Sequence, residues 1–242
     1  MASASAMGHR VVLVCATRGE QGEPQEGVLD AGEALGDRRV RELAESAQVL
    51  GAQEPRLLGY EDSGMMGEPT NDNPSSFWQA DHDEATARLV DILREVDADV
   101  LTIYDDHGGY GHPDHLRVHT VGKAAAEIAG IDNVFEATMN RDHIRGMMAE
   151  MAESNPEIDD PEIDVETIGT EENDISYSVD VSAMVGTKRE AMIAHRSQIG
   201  SDSFFLTMPD EAFAAAFGVE YFNVPGRTQT GGPETVTMLP GL

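Results

Sequence analysis

The chain has 242 residues, 40% of them apolar, and carries 45 acidic against 16 basic side chains, for a net charge of −29. A field of that sign repels nucleic acid and anionic membrane surfaces, so neither is expected as a partner. No apolar run reaches the ~18 residues of a helical membrane span, and the opening MASASAM has neither the basic start nor the apolar stretch of a signal peptide, so a cytoplasmic protein is expected.

RVVLVCA (residues 10–16) is a continuous apolar run of strand length, the pattern of a parallel strand buried on both faces. Its Cys15 is the single cysteine, which excludes an intramolecular disulfide and reads as a buried, inert thiol. After a glycine-rich loop, Val40, Leu43, Ala44, Ala47 and Leu50 recur at helical spacing over 35–50, with Gly51 as the stop. Residues 55–60 predict a short strand and 62–76 a loop. Asp81 predicts the cap of a helix running to about Val96, and DVLTIYD (99–105) a second apolar strand.

A loop then leads into a helix over 113–130, followed by a strand over 133–139 and a helix containing Ile144, Met147 and Met148. The stretch 152–174 is almost wholly acidic and reads as a long loop, in part strand. Because acidity is spread along the chain, its self-repulsion is tolerable where salt shortens the Debye length to about 3 Å, which points to a salt-rich, halophilic cytoplasm. Residues 176–182 alternate like a strand, 183–199 and 209–217 read as helices, and 219–224 as a last strand. Strands alternating with helices predict an α/β, Rossmann-like, mainly parallel sheet with helices on both faces and sites at the carboxyl ends of strands.

Chemistry concentrates at Asp105-Asp106-His107-Gly108-Gly109-Tyr110-Gly111-His112-Pro113-Asp114-His115, between a predicted strand and a predicted helix. Three glycines within four residues let the backbone turn tightly against a ligand, and Pro113 suits a first helical turn. Imidazoles there can bind zinc or move protons near neutral pH, and Asp114 can orient one of them. The competing reading of such histidines is capping or hydrogen bonding. His119 lies one turn beyond His115, and that pair is read as solvated or capping, not as a metal site.

GGYGHPDH (108–115) resembles the second signature of the LmbE-like/PIG-L family of zinc-dependent N-acetylglucosaminyl deacetylases. GHRVVLVCATRGEQGE (8–23), the Arg-x-x-Glu-Leu core from Arg39 to Leu43, GYEDSGM (59–65) and AHRSQI (194–199) resemble further landmarks in the same order. The resemblance implies hydrolytic deacetylation of a small-molecule N-acetylated sugar conjugate, with zinc as cofactor. It assigns His115 as a zinc ligand and His112 as the electrostatic or general-acid histidine, with Asp114 as its partner. Tyr110 becomes an oxyanion and substrate contact, and Arg39 and Asp62 become sugar contacts. Arg39 has an alternative reading as a helix-surface ion pair, and Asp62 as a turn-forming Asx residue.

Family members carry, before the Gly-His-Arg seen here at Gly8, a strand ending in Ala-His-Pro-Asp-Asp and then a helix. The first His and last Asp of that motif bind zinc, and the middle Asp is the general base. Residues 1–7 hold no histidine or carboxylate. The resemblance thus implies one domain over 1–242, with a leader over 1–7 outside the family pattern, an acidic loop at 152–174 and a sheet lacking its first strand and helix. It further implies two missing zinc ligands and a truncated, inactive chain. A non-catalytic carbohydrate-binding relative is the rival reading.

Overall fold

The computed structural model describes residues 1–154 and 164–242. Its elements run α1 (Ala2–Ala6), β1 (Val14–Cys15), α2 (Leu35–Val49), β2 (Arg56–Leu57), α3 (His82–Glu95), β3 (Val100–Tyr104), the kinked turn α4 (Gly108–Gly111) and α5 (Pro113–Ala129). There follow β4 (Asn133–Thr138), α6 (Arg141–Ser154), β5 (Tyr177–Asp180), α7 (Val185–Ile193), α8 (Phe204–Thr207), α9 (Asp210–Phe217), β6 (Val219–Asn223) and β7 (Glu234–Val236).

Local chemistry explains the helix limits near the site. Asp81 caps α3, its carboxylate accepting the Glu84 N–H at 2.9 Å, as expected from the sequence. Helix α5 opens on Pro113 and stops at Gly130, which takes the left-handed conformation (φ +77°) that glycine tolerates. Helices α3 and α5 pack together through Ala85, Leu89, Val90 and Leu93 on one side and Val121 and Ala125 on the other, in a core shared with Leu58 and Phe77. Gly122 lets α5 lie close on β3, because a Cβ there would stand 2.5 Å from Ile103 Cγ2. A second core of Phe135, Val179, Val181, Phe222 and Leu239 fills the far side of the larger sheet.

That sheet has the order β3-β4-β6-β5-β7. The β3–β4 and β5–β7 pairings are parallel, and β6 runs antiparallel to both β4 and β5. Strands β1 and β2 form a separate parallel pair, with Val14 opposite Arg56. The α/β class with helices on both sides is therefore as expected, and the sheet is mixed around β6. Among the described residues no helix is long and apolar enough to cross a membrane.

Several expectations need correction. The apolar run 10–16 is regular strand only at Val14–Cys15, although the carbonyls of Val11, Leu13, Cys15 and Ala16 accept the N–H groups of Gln53, Arg56, Leu58 and Tyr60, and Val11 through Cys15 are half-buried, not buried on both faces. The physical reason is pairing: the edges of β1 and β3 that face away from β2 and β4 have no strand partner among the described residues. Arg10 still bridges the two pieces by donating to the Val96 carbonyl. The predicted helix over 183–199 is helical only to Ile193, and MASASAM, which carries no helical pattern, forms α1 with Ala4 buried. Strand β7 and helix α8 have no counterpart in the sequence reading. Of the acidic stretch 152–174, residues 155–163 lie outside the described residues, and 164–174 form short turns, with Thr170 bridging Asn140.

Candidate active site

The loop after β3 turns through two successive glycines with positive φ, Gly108 (+62°) and Gly109 (+72°). At Gly108 a side chain is excluded twice over, since a Cβ would also come within 3.0 Å of His115 Cβ and the Leu116 nitrogen. This tight turn sets the start of α5 directly beneath the carboxyl end of β3, so His112, Asp114 and His115 converge there.

The two histidines are held in different protonation patterns. The backbone N–H of Asp114 donates to His112 Nδ1 at 3.1 Å, so Nδ1 carries the lone pair and the neutral ring's proton is on Nε2. That Nε2 lies 3.9 Å from Asp62 Oδ1. His115 Nδ1 lies 3.0 Å from the Gly108 carbonyl, which can only accept, so Nδ1 is the protonated atom and Nε2 keeps its lone pair. The His115 ring stacks on Tyr104 (centroids 3.9 Å apart, planes 9° apart) and meets the edge of Tyr110 at 5.1 Å. Burial pulls the His115 pKa below its ordinary value, which keeps the ring neutral.

Asp114 is buried beneath this pair. Ser63 holds it twice, through its hydroxyl to Oδ1 and its backbone N–H to Oδ2 at 3.3 Å. Burial lifts the Asp114 carboxyl to about 6, against the lowering effect of the Ser63 hydrogen bonds. Asp62 is buried too: Oδ1 accepts the Gly64 N–H at 3.0 Å and Oδ2 the Gln21 N–H at 3.1 Å. The first of these is the Asx turn of the alternative reading, and the second ties the loop after β1 to the site. Among the described residues Arg39 forms no surface ion pair of the alternative kind; its Nη1 donates to the Gly19 carbonyl at 2.6 Å, across the same loop. Its charge reaches Tyr110, whose hydroxyl is lifted by desolvation, opposed by Arg39 and reinforced by Asp62. All six residues singled out in the sequence thus face one locality.

Metal-ligating atoms are present in two arrangements. Asp62, His112 and Asp114 each offer a ligand atom within 4.8 Å of the others. In that group the Asp114 oxygens are already engaged by Ser63, and those of Asp62 by backbone amides. His115 stands outside the group with Nε2 free and Nδ1–H on a carbonyl, the usual arrangement of a zinc-binding histidine. The donor chemistry, imidazole and carboxylate, fits zinc. His119 is engaged elsewhere, with Nδ1 3.1 Å from the Tyr104 carbonyl and 3.4 Å from Glu136.

Sequence reasoning missed Ser63, Tyr104 and the role of Asp105. Asp105 lies in the same segment as the histidines, but only the fold brings the Gly109 N–H and the Thr138 hydroxyl to its carboxylate. Cys15 is free and half-buried, and burial pushes its thiol pKa up.

Imidazoles and carboxylates on a glycine-rich turn, at the carboxyl end of a strand in an α/β sheet, are the groups that metal-assisted hydrolysis can use. Comparison with known proteins gives the family. Residues 1–126 match the model of the PIG-L family, described as GlcNAc-PI de-N-acetylase. The 1D-myo-inositol 2-acetamido-2-deoxy-alpha-D-glucopyranoside deacetylase of Acidothermus cellulolyticus is 39% identical, over 92% of this chain and 81% of its own length. The protein of the same name from Salinispora arenicola is 37% identical, over 93% and 78%. The chain belongs to the PIG-L family of zinc-dependent de-N-acetylases, which are amide hydrolases acting on GlcNAc-type conjugates. Among solved structures, a conserved protein from Thermus thermophilus shares the fold at TM-score 0.55 and 21% identity, over 93% of this chain and 85% of that one. The N,N'-diacetylchitobiose deacetylase of Pyrococcus horikoshii shares it at TM-score 0.53 and 22% identity, over 83% and 64%.

Proposed function

We propose that this chain removes the acetyl group from an N-acetylglucosamine-type sugar conjugate, with an N-acetylglucosaminyl-inositol glycoside of the kind named for its relatives as the first candidate substrate. The observation that carries the reading is the pair of opposed imidazoles: with ring centroids 5.0 Å apart, His112 keeps an N–H on Nε2 and His115 a lone pair on Nε2. Amide hydrolysis uses both, a hydrogen-bond donor for the developing charge and a ligand for a Lewis acid.

His115 Nε2 would hold zinc, and zinc would supply the Lewis acidity that polarises the acetamide carbonyl. His112 Nε2–H donates a hydrogen bond that stabilises the charge developing on the acetamide, while water supplies the oxygen of the released acetate and its proton passes to the amine as the C–N bond breaks. Asp114 holds His112 in place through its own backbone N–H and is anchored by Ser63. Tyr110 keeps its hydroxyl proton, because its pKa is raised, and can donate to the developing oxyanion. Asp62 and Arg39 line the pocket as a hydroxyl acceptor and a cationic donor for the sugar.

The test is incubation of the purified chain with zinc and the N-acetylglucosaminyl-inositol glycoside, measuring acetate and primary amine released. Release of both in equal amounts is the expected result. Saturable sugar binding with no acetate released, at any zinc concentration, would favour the rival carbohydrate-binding reading.

A further inference from the structure

The peptide unit between Gly108 and Gly109 is hydrogen-bonded on both sides. Its carbonyl accepts His115 Nδ1–H at 3.0 Å, and its N–H donates to Asp105 Oδ1 at 2.9 Å. Asp105 is 1% exposed, at the end of β3, and among the described residues no hydrogen bond or ion pair joins it to His115. Its other oxygen, Oδ2, accepts the Thr138 hydroxyl of β4 at 2.6 Å. Thr138 in turn meets Thr170 Oγ1 at 2.9 Å, and Thr170 accepts from the Asn223 amide of β6 at 2.9 Å. With Asn223 donating at one end and Thr138 donating at the other, the Thr170 hydroxyl donates to Thr138. Every proton in the chain then points toward the Asp105 carboxylate.

We propose that Asp105 is a positioning residue for His115, acting through the Gly108–Gly109 peptide as a carboxylate–peptide–imidazole relay. A carboxylate bonded to the N–H of a peptide polarises its C=O, and hydrogen bonds in series reinforce one another. The carbonyl is thereby fixed in orientation and made a stronger acceptor for Nδ1–H. The tautomer of His115 follows, and Nε2 is left as the electron-pair donor facing the pocket. Direct His–carboxylate bonding would do the same work, but here the glycine turn stands between the two groups. The left-handed φ values of Gly108 and Gly109 are what set the peptide plane between the carboxylate and the ring. The proposal rests on His115 serving as a ligand, and concerns how its lone pair is placed.

The test reads the tautomer itself, in metal-free protein and without substrate, so it decides the relay whether or not the chain proves to be a deacetylase. Long-range nitrogen–proton NMR of histidine-labelled protein above pH 7.5 should show His115 with the proton on Nδ1 and His112 with the proton on Nε2. In Asp105→Ala, His115 should shift from the Nδ1–H form to predominantly Nε2–H, the form favoured by free imidazole, while His112 stays unchanged. Asp105→Asn keeps an oxygen for the Gly109 N–H and should restore the wild-type tautomer. Thr138→Val, a milder change that leaves Asp105 in place, should shift the equilibrium part of the way. A wild-type His115 with its proton on Nε2 overturns the proposal. So does an unshifted His115 in folded Asp105→Ala or, if that variant does not fold, in Thr138→Val.

Discussion

His112 and His115, three residues apart with ring centroids 5.0 Å from one another, present opposite faces of imidazole chemistry to one pocket. A backbone N–H fixes the first as an Nε2 hydrogen-bond donor, and a backbone carbonyl fixes the second as an Nε2 electron-pair donor. Their substitutions should therefore separate. His112→Ala should keep bound zinc and lose about 10²–10⁴-fold in kcat, the usual worth of a general acid or electrostatic group. His115→Ala should lose the metal and with it all zinc-dependent turnover. Metal analysis beside steady-state kinetics checks this, and equal zinc loss in both variants would contradict the assignment.

Asp114 gives a pH dependence with a definite sign. Its carboxyl is raised to about 6 in the fold, above its ordinary value, so the fold favours the protonated form. The associated stability is fully present below the unfolded pKa near 4 and is lost as the pH rises through about 6. Relative to Asp114→Asn, which stays neutral, the wild type should lose on the order of 2 kcal/mol between pH 4 and pH 7.5. Urea titrations of both proteins at the two pH values measure it. Ser63→Ala removes a hydrogen bond that opposes the shift and should raise the Asp114 pKa further, as read by carboxyl-carbon NMR.

Gly122→Ala offers a test of packing where propensity points the other way. In an exposed helix the change is worth about 1 kcal/mol of added stability. Here the new methyl would stand 2.5 Å from Ile103 Cγ2, a branched, 4% exposed side chain with little room to yield. Overpacking of this kind costs about 1–3 kcal/mol, so a net loss is expected. A thermal midpoint at or above that of the wild type would show that α5 can move off β3.

Salt should stabilise the chain. With a net charge of −29, like-charge repulsion is relieved as the Debye length falls from about 10 Å at 0.1 M to about 3 Å at 1 M. The thermal midpoint should rise by several degrees between these conditions in KCl. A midpoint that stays level or falls would count against the salt-rich milieu inferred from composition.

Much of this protein is legible in its sequence because the signals are local. Asp81, Pro113 and Gly130 mark helix limits through their own backbone chemistry, and the structure places those limits within a residue or two. GGYGHPDH carries the turn, the opening of α5 and both histidines within one short segment, so the site could be found from it alone. What the sequence could not convey is pairing. Whether the apolar run 10–16 becomes a buried strand depends on neighbours far along the chain, and among the described residues it is flanked on one side only, by β2 and its surroundings. The antiparallel insertion of β6 between β4 and β5 joins residues separated by some 40 to 90 positions, with no local pattern to announce it. The same holds for the side chains that set the chemistry. Ser63 reaches Asp114 across 51 residues and Thr138 reaches Asp105 across 33. Local sequence determined which groups stand at the end of β3. The tertiary structure decided which nitrogen of each histidine bears the proton, because a tautomer is set by the partner that the fold brings to the other side of the ring.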